Sequence, residues 1–181
     1  MPPLPAIATR PLTLDELIRR ARRGDAVGIG GLYDRYAVEL YRAAFRVTAS
    51  RADAEDVVHD LFVRLPRALG QYEDHGHLDA WLTRMTVRLA LMRLRGERRR
   101  RLAPAEAAYD VAAAGRTDAR VELSEMQHAV LALPDVLRVV LVLRQVHGYS
   151  HDEIGTMLGI SAGTSRVRLT RALESLRRSL R

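Results

Sequence analysis

The sequence predicts an all-α protein built as two small helical domains joined by a flexible linker. Three observations carry that prediction. Apolar residues recur at steps of three and four through most of the chain, the spacing of one helix face. Helix-start patterns of the Ser/Thr-x-x-Glu type precede the first and the seventh of those runs. Between the two groups lies "LAPAEAAYDVAAAGRTDAR", residues 102–120, rich in alanine with scattered charges and no amphipathic face. No strand or hairpin signal interrupts the pattern. A length of 181 residues suits two small domains, and 48% hydrophobic content supports packed cores.

The elements follow in order. Residues 1–12 are proline-rich and expected to be disordered. "TLDE", with Thr13 and Glu16 as a capping box, opens a short helix that stops at Gly24. In "DAVGIGGLYDRYAVELYRAAFRVT" the positions Leu32, Tyr36, Leu40, Ala43, Ala44 and Val47 share one face, while Gly28, Gly30 and Gly31 weaken the first turns. A third helix begins near Asp53, with Val57, Val58, Leu61, Phe62 and Leu65 as its apolar face and Pro66 loosening its last turn. "LDAWLTRMTVRLALMRLRGERRRR" makes a fourth helix, apolar first and arginine-rich last. After the linker, helical periodicity returns from Val121 to Pro134, and "DVLRVVLVLRQVHG" reads as a buried helix ending at Gly148. The domains are therefore expected at 13–101 and 121–181.

The C-terminal stretch carries the sharpest local signal. Ser150 and Glu153 form a capping box, Gly159 ends the helix they open, and Ser161 caps another from Ala162 onward. Two helices joined by a tight glycine-containing turn, the second one basic, make a helix-turn-helix. Ile154, Leu158 and Ile160 are expected to pack against Val167 and Leu173 to set the angle. The second helix would lie in a DNA major groove, with Thr164, Ser165, Arg166, Arg168, Thr170 and Arg171 as the groove-facing candidates.

Charge points the same way. Net charge is +7, and every basic side chain is arginine. Residues 84–101 hold eight Arg and one Glu, and residues 162–181 hold six Arg and one Glu. The rest of the chain is therefore net acidic. Localised basic patches on an acidic body are the footprint of a nucleic-acid binder. Cysteine is absent, which excludes disulfides and thiolate sites and suits a reducing compartment. "MPPLPAIATRPLT" has no long apolar run and is not read as a signal peptide, and no window is long and apolar enough to span a membrane. No nucleophile–base pair, phosphate loop or metal cluster argues for an enzyme, and no cofactor is implied.

"LPDVLRVVLVLRQVHGYSHDEIGTMLGISAGTSRVRLTRALESLR" resembles region 4 of bacterial extracytoplasmic-function sigma factors. "LYDRYAVELYRAAFRVTASRADAEDVVHDLFVRL" and "AWLTRMTVRLALMRLR" resemble region 2 of the same family, in the family's order and spacing. The resemblance implies an RNA polymerase specificity subunit, working in the cytoplasm without catalysing a reaction itself. By the same resemblance, "DAEDVVHDLF" docks on the polymerase core, through Asp53, Glu55, Asp56, Val57, His59, Asp60, Leu61 and Phe62. The loop and helix after it, with Tyr72, His75, His77 and Trp81 as π-systems and Arg84, Arg88, Arg93 and Arg95 as cations, would read and open the minus-ten element on the non-template strand. The helix-turn-helix would read the minus-thirty-five element. Many family members are held by an anti-sigma factor covering both halves; the sequence itself names no such partner.

Several positions depart from the family pattern. Arg88 stands where Asn is frequent, Met92 where Asp is frequent, and Pro66 where an aromatic is frequent. "GTSRVR" replaces the commoner Gly-Thr-Val-x-Ser-Arg, which puts Ser165 at a packing position and Val167 at a small polar one. Two other readings accompany the first. A stand-alone helix-turn-helix regulator would bind DNA without polymerase, and a sigma-derived adaptor would bind polymerase without initiating.

Overall fold

The computed structural model describes residues 12–73, 76–102 and 124–180. The expected disordered segment and the linker fall outside these residues, apart from Leu12 and Leu102. Among the described residues there are eight α-helices and no strand: α1 (Leu14–Arg22), α2 (Ala26–Thr48), α3 (Arg51–Leu69), α4 (Leu78–Leu102), α5 (Glu125–Leu131), α6 (Asp135–Gln145), α7 (His151–Leu158) and α8 (Ala162–Ser179).

Helices α1–α4 form the first bundle. The Thr13–Glu16 capping box is present, with Glu16 N donating to Thr13 Oγ1 (3.3 Å) and Thr13 N to Glu16 Oε2 (2.7 Å). Leu17, Ile18, Leu32, Leu40, Leu61, Leu65, Leu69 and Leu82 fill the core. The glycines of α2 do not fray it. A methyl group on Gly28 would stand 2.5 Å from the Ala21 backbone nitrogen, and one on Gly31 would stand 2.5 Å from a Leu17 methyl. They are contact points that let α1 lie close on α2, and that packing outweighs their low helix propensity. Gly28→Ala is accordingly expected to destabilise the bundle by about 1–3 kcal/mol in urea denaturation. Gly30→Ala, which meets open space, should stabilise it by roughly 0.5–1 kcal/mol.

Pro66 does not end α3, which continues to Leu69. Its missing N–H removes the donor that would otherwise serve the Phe62 carbonyl, a loss confined to one bond because the helix ends three residues later. The carbonyls beyond it are met from another helix. Arg22 Nε donates to Leu69 O (3.0 Å) and its Nη2 to Tyr72 O (2.6 Å).

Helices α5–α8 form the second unit around Leu133, Leu141, Ala172 and Leu176. The β-branched run of α6 is helical and buried, as expected from its neighbours. The two units also share a core. Val139, Val140, Val142, Leu143 and Ile154 pack with Ala44, Val47, Ala54, Val57, Val87, Ala90 and Leu91. Each buried Val, Leu or Ile side chain of that set stabilises by about 1.5–3 kcal/mol. At the same junction, Arg138 is 2% exposed. Its Nη2 donates to Val47 O (3.3 Å) and Thr48 O (3.4 Å) at the end of α2, and to Asp135 Oδ1 (2.7 Å). Its Nη1 donates to Leu133 O (3.0 Å). Nothing in the local sequence pattern announced this arginine as a core residue.

Candidate nucleic-acid and polymerase interfaces

The helix-turn-helix is built by local capping. Ser150 and Glu153 bond reciprocally (Glu153 N to Ser150 Oγ, 3.2 Å; Ser150 N to Glu153 Oε2, 2.8 Å), and those bonds hold the Glu153 carboxyl below its usual range. Gly159 takes the left-handed conformation at φ 67°, which favours glycine, and closes α7. Ile160 N then donates back to Gly155 O (3.0 Å), and Thr164 N donates to Ser161 Oγ (3.0 Å) to start α8.

The rotational phase of α8 sorts the six groove candidates. Thr164, Arg166, Thr170 and Arg171 are exposed, while Arg168 is half-buried and lines a cleft of about 360 Å³ between the two units. Ser165 is fully buried, which removes it from the groove face. Its Oγ lies 2.9 Å from His151 Nδ1, so a hydrogen bond across the motif satisfies the hydroxyl where the family usually packs an apolar side chain. Burial and the charges of Arg144 and Arg166 hold the His151 imidazole below its usual pKa, which favours the neutral ring. The expected packing of Val167 is also corrected. Val167 is exposed, Leu169 packs with Ile154, Leu158 and Ile160 instead, and Leu173 joins the cluster of Leu133 and Leu141. In α8 the Ser165 side is thus the packed face and the Val167 side the exposed one.

The minus-ten candidates divide in the same way. His77 is exposed, and His75 lies outside the described residues. Tyr72 is buried and Trp81 half-buried, their ring centroids 4.9 Å apart against the first core. These two rings pack inward, which removes Tyr72 from the stacking surface expected for an unpaired base and gives Trp81 a core role. Arg84, Arg88 and Arg95 are exposed along one ridge of α4 together with Met92. Arg95 Nη2 donates to the Met157 carbonyl at the end of α7. Arg84 and Arg88 lie close enough to the Tyr149 phenol to favour its ionisation, although burial wins and raises its pKa.

Arg93 is not a free cation. Its Nε donates to Asp53 Oδ1 (2.7 Å) and its Nη2 to Asp56 Oδ2. One expected DNA contact thus pairs with two expected polymerase contacts: Asp53 is closed off, while Asp56 stays largely exposed. Burial raises the Asp53 pKa, but the Arg93 hydrogen bond, the Ser50 hydroxyl and the Arg93 charge more than offset it, so the carboxyl stays below its usual range. A depressed carboxyl contributes stability above its unfolded pKa of about 3.9 and loses it as pH falls through the lower folded value. Asp53→Asn is expected to cost about 1–3 kcal/mol at pH 6. The gap to the parent protein should narrow in urea titrations as pH falls past the unfolded carboxyl value and through the lower folded one.

Of the remaining polymerase candidates, Val57, Leu61 and Phe62 are buried and point into the protein's own core. Glu55, Asp56 and His59 are exposed and Asp60 half-exposed, on one ridge of α3, with Asp60 3.8 Å from Arg64. The ridge continues into Val63, which is 66% exposed, and Tyr33 beside Phe62 is also exposed (centroids 4.9 Å). Both were missed from sequence. The available signal was that Val63 falls four residues after His59, on the polar side of the helix. Among the described residues, no three His, Asp or Glu side chains come together as a metal set.

Residues 32–100 match the Sigma-70 region 2 family and residues 123–176 match the Sigma-70, region 4 family. The chain is 33% identical over 153 residues to the ECF RNA polymerase sigma factor SigE of Mycolicibacterium smegmatis, spanning 81% of this chain and 59% of that one. It is 32% identical over 166 residues to the ECF RNA polymerase sigma factor SigM of Mycobacterium tuberculosis, spanning 91% and 83%. Among solved structures it is similar to CnrH in complex with the cytosolic domain of CnrY. That match has a TM-score of 0.50 and 28% identity, and covers 91% of this chain and 94% of that one.

Proposed function

Since this chain belongs to the extracytoplasmic-function RNA polymerase sigma factors, we propose a division of promoter work between its two units. Residues 13–101 act as region 2. The α3 ridge of Glu55, Asp56, His59, Asp60 and Val63 meets core polymerase, its acids suiting a basic surface and its valine supplying apolar area. The α4 ridge of Arg84, Arg88 and Met92 faces the minus-ten element, with arginines for the displaced strand. Residues 121–181 act as region 4, and α8 enters the minus-thirty-five major groove through Arg166, Thr170 and Arg171. The observation that carries this reading is the single exposed stripe of α8, polar and arginine-bearing, set by a capped turn.

Sigma factors are non-enzymatic initiation factors, and we assign no reaction to this chain; the polymerase forms the bonds. Its place of work is then the cytoplasm, with the polymerase and the chromosome. No helix among the described residues is long and apolar enough to cross a membrane. The two promoter elements stand roughly 25 base pairs apart, about 85 Å along B-DNA at 3.4 Å per step. Two units sharing one core do not reach that far, so promoter engagement separates them. CnrH is solved in complex with the cytosolic domain of CnrY, and by analogy an anti-sigma factor is the further partner proposed for this chain.

Run-off transcription with purified core polymerase on a randomised promoter library tests the reading. Transcripts sharing an upstream motif pair at fixed spacing are expected only when the protein is present. Co-elution with core polymerase without initiation would favour the adaptor. Binding to DNA but not to polymerase would favour the stand-alone regulator.

A further inference from the structure

We propose that Val167 reads the 5-methyl group of a thymine in the minus-thirty-five element, an inference that rests on the reading of α8 given above. The exposed stripe of α8 runs through Gly163, Thr164, Arg166, Val167, Thr170 and Arg171. Val167 is 52% exposed in the middle of it, in the N-terminal half that a recognition helix offers to base edges.

The polar members of that stripe are unequally available. Thr164 Oγ1 is engaged with Ser161 Oγ (2.9 Å), and Thr170 Oγ1 donates back to Arg166 O (3.2 Å). Both hydroxyls serve the helix itself. What remains at the surface is two guanidiniums and the branched methyls of Val167, with the Thr170 methyl one turn on. A valine in a helix holds essentially one side-chain rotamer, so its methyls present a fixed apolar surface. In the major groove the only apolar group a base pair displays is the thymine methyl, and an arginine fork suits guanine. Gly163 adds no side chain that would hold the helix away from the groove floor. Arg166 and Arg171 bracket Val167 along the helix. The stripe therefore specifies a thymine flanked by guanine contacts rather than an arginine-only, G-rich site.

The test uses holoenzyme assembled from the full chain and core polymerase. The minus-thirty-five element is first selected from a randomised library with the parent protein and with Val167→Ser. Each thymine of the selected element is then replaced singly by uracil, which deletes only the methyl. One position is expected at which uracil lowers initiation by the parent about fourfold, the effect of losing one methyl-sized apolar contact. Val167→Ser should ignore the same replacement and lose its preference for thymine there. Uracil tolerated at every thymine by the parent protein overturns the inference, and so does an unchanged motif with Val167→Ser. Both results leave the sigma reading standing, whereas no initiation at all would sink the two together.

Discussion

Arg138→Ala is expected to lower the thermal midpoint of the full chain by roughly 5–15 °C in calorimetry. The guanidinium is buried where α6 meets the end of α2, and four oxygens accept from it. Two of these, Val47 O and Thr48 O, belong to the last turn of α2, where carbonyls lack partners within the helix and the dipole favours a cation. Beyond them the chain turns through Ala49 at φ 55°, a left-handed conformation that alanine rarely adopts. Alanine would strip the donors from that turn and leave a cavity. Asp135, largely exposed, would simply return to water. The loss adds up to about 2–4 kcal/mol, and a chain of this size shifts by about 2–4 °C per kcal/mol. Arg138→Met should recover about half. It fills the volume and removes a buried charge whose Nε finds no partner. A midpoint unmoved by the alanine change would mean that the two units are not joined through this arginine.

Gly155→Ala should abolish most promoter-dependent initiation while leaving the complex with core polymerase intact. A methyl group there would lie 2.7 Å from the Ile160 carbonyl oxygen and 3.5 Å from the Ala162 nitrogen. The first distance is closer than real contacts allow, and the obstacle is backbone, which cannot swing aside. Alanine's better helix propensity returns about 1 kcal/mol, less than the 1–3 kcal/mol or so of overpacking. The turn must open, and α8 moves with it. Because base contacts depend on placement to a fraction of an ångström, at least about a tenfold loss at a minus-thirty-five-dependent promoter is expected. Co-elution with core polymerase should persist, since α3 meets Ile154 through its buried face, at Ala54 and Val57, and the ridge assigned to polymerase is its exposed face. Unimpaired initiation would show that the tight turn does not set the reading angle.

The eight helices were legible because their signals are local. Thr13 with Glu16 and Ser150 with Glu153 are capping boxes three residues apart, and Gly159 stops a helix through its own backbone conformation. The two halves were legible as a resemblance for a similar reason: each motif is a contiguous stretch. Local signals failed where two distant segments compete for one side chain. Asp53 looked like an acid offered to a partner, but Arg93 forty residues later claims it. Gly28 looked like a weak helix start until α1 was laid against it. Tyr72 looked like a stacking surface, yet its ring packs inward, tilted against Trp81.

The helices, the helix-turn-helix and the family resemblance could all be read from the chain alone. Those depend on interactions within a few residues or on patterns of contiguous stretches. Which face of each helix is left for partners emerged from packing between distant segments. That packing turned Ser165 inward and Val167 outward, reduced the α3 surface to Glu55, Asp56, His59, Asp60 and Val63, and buried Arg138 against carbonyls some ninety residues away. The physical reason is that helical periodicity fixes spacing but not phase. The phase is set when two apolar faces meet and the polar groups between them must find hydrogen-bond partners.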